Sequence, residues 1–226
     1  MMMNLFSTFD PSTSMNWSMN WLSTLLFMLM MPMLYWMIPN RKNMMIMNLI
    51  TKLMIEFKTL LNTKSFNLTI LFISMFLFIM FNNVMGLLPY IFTSSSHMVF
   101  SFTMSLSLWI SLMLFGWFNN TNNMFMHLIP TGTPLMLTPF MVCIETISNI
   151  IRPLSLAVRL TANMIAGHLL MSLLGNNLIN KNYITLFSLM TIQMMLMMFE
   201  LSVAMIQAYV FTILSTLYSN EVIYEK

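Results

Sequence analysis

The sequence contains very few charged residues. Asp, Glu, Lys and Arg make up 7% of its 226 residues, whereas soluble domains usually carry about 25%. Hydrophobic residues make up 58%, and the mean hydropathy is +0.80. This composition excludes an ordinary soluble enzyme or binding module and is typical of a protein built for a lipid bilayer.

Other residue types are also scarce, and each scarcity excludes a class of site. Cys143 is the only cysteine, so no disulfide can form within the chain. No glycine-rich loop that could hold a phosphate group is present. There is no Lys/Arg-rich face, so we expect no nucleic-acid partner, and we expect no cofactor and no metal. No basic residue precedes Arg41, unlike in a signal or transit peptide, so we expect synthesis inside the compartment where the protein works.

Long apolar stretches predict an all-α multi-pass membrane protein with a single membrane domain, residues 1–226. Stretches 21–38, 66–88 and 99–118 each have about the 20 residues that a helix needs to cross a 30 Å hydrocarbon core. Stretches 134–174 and 183–218 are much longer, about 60 and 54 Å as helices. Neither has a turn cluster near its centre, so we predict two long, strongly tilted helices that form an antiparallel hairpin around residues 175–182.

Residues 44–62 differ because polar side chains recur along one side of the predicted helix. The polar positions are Asn48, Thr51, Lys52, Glu56, Thr59 and Asn62. This pattern predicts an amphipathic helix that lies on the membrane surface. Five of the nine basic residues fall between positions 41 and 64, which marks the matrix or cytoplasmic side. Counting crossings then places the N-terminus, 89–97 and 175–182 outside, and 119–133 and the C-terminus inside.

A stripe of polar and small residues follows the first of the two long helices. Its members are Glu145, Ser148, Arg152, Ser155, Arg159, Asn163 and Ala166. At about 100° per residue, all of them lie within roughly 40° of Arg159. A guanidinium keeps its proton in proteins, and at the bilayer centre it costs at least about 2.5–3.5 kcal/mol. This cost indicates that the charge of Arg159 has a function.

The predicted topology separates two protonatable regions. His168 and Glu200 lie toward the outer side and Glu145 toward the inner side, with Arg159 between them, about 21 Å along the helix from Glu145. A permanent cation in the middle repels hydronium and interrupts a continuous water path. We therefore predict two half-pathways joined by a carboxylate of a moving partner, which pairs with Arg159 when charged and withdraws when neutral. Small residues beside Arg159 would let a partner helix approach closely.

Arg152 and Glu145 each allow a second interpretation, and so does the class of the protein. Arg152 precedes Pro153, so its side chain either satisfies carbonyls freed by a kink or takes part in the pathway. Glu145 is either an interfacial charge at a helix start or part of the pathway. A proton-translocating subunit of a respiratory-chain complex is an alternative class, which predicts buried lysines in broken helices. A purely structural anchor is another, and it needs no ionisable stripe.

Three sequence blocks resemble subunit a of the F-type ATP synthase, in its mitochondrially encoded form. The most specific is LAVRLTANMIAGHLL at 156–170, which resembles the family's signature helix. NVMGLLPY at 83–90 and ELSVAMIQAYVF at 200–211 resemble its third and last helices. FDPST at 9–13 is similar to the start of insect-type members. The resemblance covers essentially the whole chain.

The resemblance implies a stator subunit that works beside a rotating ring of c subunits. It implies that Arg159 faces the ring carboxylate, while His168 and Glu200 serve an outer half-channel and Glu145 an inner one. The polar neighbours of the arginine would be Asn163 and Gln207. Peripheral-stalk and small membrane subunits are further implied partners, and the implied location is the mitochondrial inner membrane. Such a chain makes no ATP on its own, and its proton flow drives ATP synthesis in the complex.

Overall fold

The computed structural model describes residues 5–14, 16–31, 37–61, 66–129, 134–178 and 182–223. Its regular elements are helices, which confirms the predicted all-α multi-pass fold class. In chain order the described helices are α1 (Leu26–Met30), α2 (Arg41–Leu60), α3 (Phe66–Gly86), α4 (Met98–Asn119), α5 (Thr121–His127), α6 (Thr138–Asn177) and α7 (Tyr183–Ile223). Short 3₁₀ turns occupy Leu5–Phe9, Met19–Leu25, Ser94–Ser96 and Leu135–Leu137.

Four of these helices, α3, α4, α6 and α7, are long and apolar enough to cross a membrane. α3 and α4 contain 21 and 22 residues, which suits a hydrocarbon core about 30 Å thick. α6 and α7 contain 40 and 41 residues, so each is about 60 Å long. Helices of that length must tilt strongly or project from the bilayer. α6 continues through Pro153, which is buried within the chain.

The first predicted span, 21–38, is only partly described. It begins as the 3₁₀ turn Met19–Leu25 and continues as the single-turn helix α1. Residues 32–36, which include the expected kink at Pro32, lie outside the described residues. The apolar helical segment that is described, Met19–Met30, is shorter than a full membrane crossing.

α2 covers most of the predicted amphipathic segment, and its apolar face packs on protein. Leu53 and Phe57 are buried where α2 contacts α3 and α7. The described members of the predicted polar stripe are exposed. One of them, Glu56, accepts a hydrogen bond of 3.0 Å from the Tyr209 hydroxyl of α7. The depth of α2 in the membrane stays a prediction, as do the contributions of Asn62 and Lys64, which lie outside the described residues.

α3 lies at the centre of the packing. It contacts α2 and α7, while α4 packs along α6 and α6 also contacts α7. The buried core contains Phe72, Phe76 and Ile79 of α3 together with residues of α2, α6 and α7. Ala204 and Ala208 of α7 are completely buried. Small residues at such contacts let helix backbones approach closely, which is how helices associate where lipid gives no hydrophobic drive.

The two ends of the helix bundle carry different segments. The N-terminal segment, the loop after α3 and the end of α6 surround one cavity, so they lie at the same end. At the opposite end the last turn of α7 meets α6 through Glu221 and approaches Gly116 of α4 through Val222. This grouping matches the predicted order of crossings, while the assignment of the ends to the two sides of the membrane stays a prediction.

Candidate functional site

A cavity of about 840 Å³ opens at the end of the molecule that carries the N-terminus. Its walls come from the N-terminal segment, the loop Leu87–Thr93, the last turns of α6 and the middle of α7. His168 and Glu200 both line it, as does Gln193. A volume of this size has room for many water molecules, each of which occupies about 30 Å³ in the liquid. The two residues predicted for the outer pathway therefore line one cavity.

Glu200 is buried at the inner limit of this cavity. Its side chain retains 8% of its accessible surface, and its Oε1 atom has no hydrogen-bond partner among the described residues. Gly167 makes room for it, because a Cβ atom at position 167 would lie 2.9 Å from Glu200 Cδ. Buried polar atoms normally have partners, so an unpaired carboxyl oxygen that lines a cavity indicates a functional group.

His168 is held between two parts of the chain. Its ring meets the Phe9 ring edge-on, with 6.1 Å between centroids, and it is hydrogen-bonded to the backbone of Gly86. Its Nε2 atom is buried and has no hydrogen-bond partner in the described part of the chain. A neutral imidazole with one nitrogen engaged and the other unpaired can accept a proton at the second nitrogen.

A second group of charges lies at the opposite end of the molecule. The Arg152 guanidinium donates a hydrogen bond of 2.6 Å to Glu221 Oε2 and lies 3.6 Å from Glu145 Oε1. Its Cζ atom is 5.2 Å from the centre of the Tyr218 ring. Arg152 thus binds two carboxylates and an aromatic face, while a part in the pathway stays a prediction.

Arg159 lies between the cavity and this charged group. It is near the middle of α6 and exposed on the surface of the chain, and no carboxylate of the described residues lies within ion-pair distance of it. The predicted stripe borders the buried face of α6, where Leu156 and Leu160 pack inward. On its other side lies an exposed apolar face with small and aliphatic residues. Arg159 therefore has no carboxylate partner in the described part of the chain and faces a surface that another molecule can cover.

The contact between Gly167 and Glu200 also sets the register of the α6–α7 hairpin. Arg159 precedes Gly167 by eight residues, and Ala208 follows Glu200 by eight, so Arg159 lies at the level of Gln207 and Ala208. The sequence alone left this stagger open.

Sequence comparison identifies the family. Residues 15–220 match the family described as the ATP synthase A chain. The chain belongs to this family. It is 58% identical to ATP synthase subunit a of Drosophila melanogaster over 223 residues, which is 98% of this chain and all of that relative. The subunits a of Anopheles quadrimaculatus and Locusta migratoria are each 57% identical, again over 98% of this chain and all of the relative.

Membership of the ATP synthase A chain family gives the protein its general role. It is a membrane stator subunit of the ATP synthase that translocates protons and associates with other subunits of that complex. The two competing classes, a respiratory-chain subunit and a structural anchor, are therefore wrong.

Three predicted or missed residues complete the description of the site. Asn163 and Gln207 are half-buried, and within the described residues neither donates a side-chain hydrogen bond, so their role as neighbours of Arg159 stays a prediction. Glu221 was missed because the predicted helix ended at residue 218, three residues earlier. Counting from the hairpin turn gave no signal, because Glu221 lies 38 residues after the start of α7 whereas Glu145 lies 32 residues before the end of α6.

Proposed function

We propose that this chain conducts protons through two half-channels that meet at Arg159 without joining. The proposal is carried by one observation: Arg159 is exposed halfway along α6, between the cavity lined by His168 and Glu200 at one end and a charged group at the other. A fixed cation at this place repels hydronium and blocks direct passage. Protons must then cross on a group that belongs to another molecule.

The outer half-channel is the cavity that reaches His168 and Glu200. Protons enter it from the outer side and reach Glu200, whose Oε1 atom is unpaired among the described residues. From there they transfer to a carboxylate of the c-ring that stands at the surface of α6 and α7. The proposal assigns proton relay to His168 and Glu200 together, because both line one space.

The inner half-channel is the group formed by Glu145, Arg152 and Glu221. Two carboxylates on one guanidinium can accept a proton and pass it on while Arg152 keeps the group compact. The side chains of Glu145 and Glu221 are 33% and 55% exposed, so both reach solvent. A proton that leaves the ring on this side would therefore exit past them.

Arg159 separates the two half-channels and pairs with the ring carboxylate. The carboxylate is attracted to Arg159 when ionised and released when protonated, so rotation in one direction requires loading from one half-channel and unloading into the other. Asn163 and Gln207 lie near enough along their helices to orient the guanidinium. In this proposal Arg159 is a barrier to direct proton passage between the two half-channels. No chemistry on ATP is assigned to this chain.

The same proposal gives the chain a location and a set of partner subunits. The relatives are subunits a of insect ATP synthases, so we place this chain in the mitochondrial inner membrane. The c-ring would cover the face that carries Arg159, and peripheral-stalk and small membrane subunits would contact other faces. ATP would be made by other subunits of the complex.

Replacing Arg159 with Ala tests the proposal. In the intact complex reconstituted in liposomes, Arg159→Ala should abolish ATP-driven proton pumping, while passive proton leak persists or rises because the barrier is lost. Pumping is followed with a pH-sensitive dye, and leak is followed after an imposed potassium diffusion potential.

Arg41→Ala is the matched control, since Arg41 is also an exposed arginine but lies on α2. It should pump and leak like the natural protein. Normal coupling in Arg159→Ala would contradict the proposal.

A further inference from the structure

The N-terminal segment, residues 5–14, forms part of the wall of the outer cavity. Its 3₁₀ turn Leu5–Phe9 packs on α6, where the Phe9 ring contacts the His168 ring. Asp10 follows directly and lines the same cavity as His168 and Glu200. Asp10 is exposed, whereas Glu200 is buried. The cavity therefore has one carboxylate at its open side and another at its inner limit.

Local hydrogen bonds fix Asp10 in place. The Ser12 backbone N–H and hydroxyl donate to Asp10 Oδ1 at 3.1 and 2.8 Å, and the Asn20 side-chain amide donates to the Asp10 carbonyl at 3.2 Å. The two bonds from Ser12 lower the pKa of Asp10 below its usual value. The carboxylate is therefore ionised throughout the neutral range.

The described residues that line the cavity carry fixed charge of one sign. No lysine or arginine is among the described residues that line it, and the other titratable side chains there are His168, Glu200 and Tyr90. Lys181, in the connection between α6 and α7, lies outside the described residues. A cleft that carries charge of one sign raises the local concentration of the opposite ion. Here that ion is hydronium or a protonated cationic buffer.

We propose that Asp10 is the entrance carboxylate of the outer half-channel, where its fixed negative charge concentrates protons at the mouth of the cavity and speeds their delivery to His168 and Glu200. This proposal rests on the proposed outer half-channel. Asp10 acts through its electric field and its position, and no covalent bond is formed or broken. The N-terminal segment then has two functions. It forms the wall of the cavity beside His168, and it places a negative charge at the entrance.

Asp10→Asn tests this role because the asparagine Oδ1 atom can still accept the bonds from Ser12. The intact complex is reconstituted in liposomes, and initial ATP synthesis is driven by an imposed proton gradient at an outer pH where proton uptake limits the rate. At an ionic strength of about 10 mM, where charges act over about 30 Å, we expect a two- to threefold lower rate, roughly the effect of one unit charge at about 10 Å in water. At about 1 M, where this range falls to about 3 Å, the difference should vanish.

Three further variants make the result specific. Asp10→Glu keeps the charge and should behave like the natural protein at both salt concentrations. Glu56→Gln removes an exposed carboxylate from α2, away from the cavity, and should have no effect. A rate for Asp10→Asn equal to the natural one at low salt, a loss that persists at high salt, or an equal loss in Glu56→Gln would each overturn the proposal. Glu200→Gln distinguishes a failure of the Asp10 proposal from a failure of the proposed half-channel. It should slow synthesis at every salt concentration. A normal rate in this variant would contradict the proposed half-channel itself.

Discussion

Gly167 controls how closely α6 approaches the Glu200 side chain. A Cβ atom at this position would lie 2.9 Å from Glu200 Cδ and 3.0 Å from Oε1, both shorter than a normal contact. The atoms it would meet belong to the end of a flexible side chain, so the Glu200 carboxyl group can move aside while the helices stay in place. The consequence of a larger residue is therefore expected in proton transfer and not in folding.

Gly167→Ala should assemble normally but lower the rate of proton uptake. A displacement of a transfer group by about 1 Å can cost up to about a hundredfold in rate, so we expect a loss of roughly tenfold in ATP synthesis by reconstituted complexes. Gly175→Ala is the matched control, because a Cβ atom there meets nothing within 4 Å. Both changes bring a similar gain in helix propensity, about 0.8–1.0 kcal/mol. Equal rates in the two variants would show that the contact has no part in transfer.

At the scale of the elements, Arg152 ties α6 to the last turn of α7. The guanidinium bonds to Glu221 on α7 and lies near Glu145 on its own helix. The Arg152 and Glu221 side chains are 31% and 55% exposed, and exposed ion pairs contribute only about 0–1 kcal/mol to stability. The pair therefore contributes little to stability, which leaves room for the proposed role in proton exit.

Glu221→Gln should slow proton release with little effect on stability. We expect synthesis to fall severalfold in the reconstituted complex, while the thermal stability of the complex changes by less than about 1 kcal/mol. Glu145→Gln and the double variant complete a double-mutant cycle. If the two carboxylates serve one exit, the double variant should lose less than the product of the single losses. Multiplicative losses would mean that the two residues act independently.

The long helices were predictable, and the contacts between them were not. Apolar stretches without a central turn cluster predict α6 and α7 because membrane crossing requires continuous helix. The pairing of Arg152 with Glu221 depends on how two helices of about 60 Å slide past each other, which periodicity within one helix does not determine. The close contact at Gly167 fixes that register, and a glycine in a helix gives no sequence signal for the side chain it accommodates.

At the scale of the whole molecule, the site is assembled from distant parts of the sequence. Charge patterning identifies Arg159, His168, Glu200 and Glu145, because ionisable residues in apolar helices are rare and costly. It does not show that Phe9 contacts His168 or that Asp10 lines the same cavity, because a short polar segment before the first span carries no periodic pattern. The exposure of Arg159 likewise emerges only from the packing of α6 against α4 and α7.

Within the residues that the structure describes, the central charge has no carboxylate partner. Arg159 is exposed at the middle of a membrane helix, and the described carboxylates of the chain lie elsewhere. An isolated guanidinium among lipid tails is costly, so the free chain is incomplete at this face. A partner that brings a carboxylate to Arg159 would remove this cost and would explain why the neighbouring surface is apolar.

The decisive measurement is a map of the assembled complex that resolves side chains near Arg159. We expect the Arg159 guanidinium to face the c-ring, with a ring carboxylate passing within about 4–6 Å, the range in which opposite charges interact strongly. The cavity at Glu200 and the group at Glu221 should then lie on opposite sides of that carboxylate's path. An Arg159 side chain that points to lipid headgroups or bulk solvent, away from any acidic partner, would contradict the account.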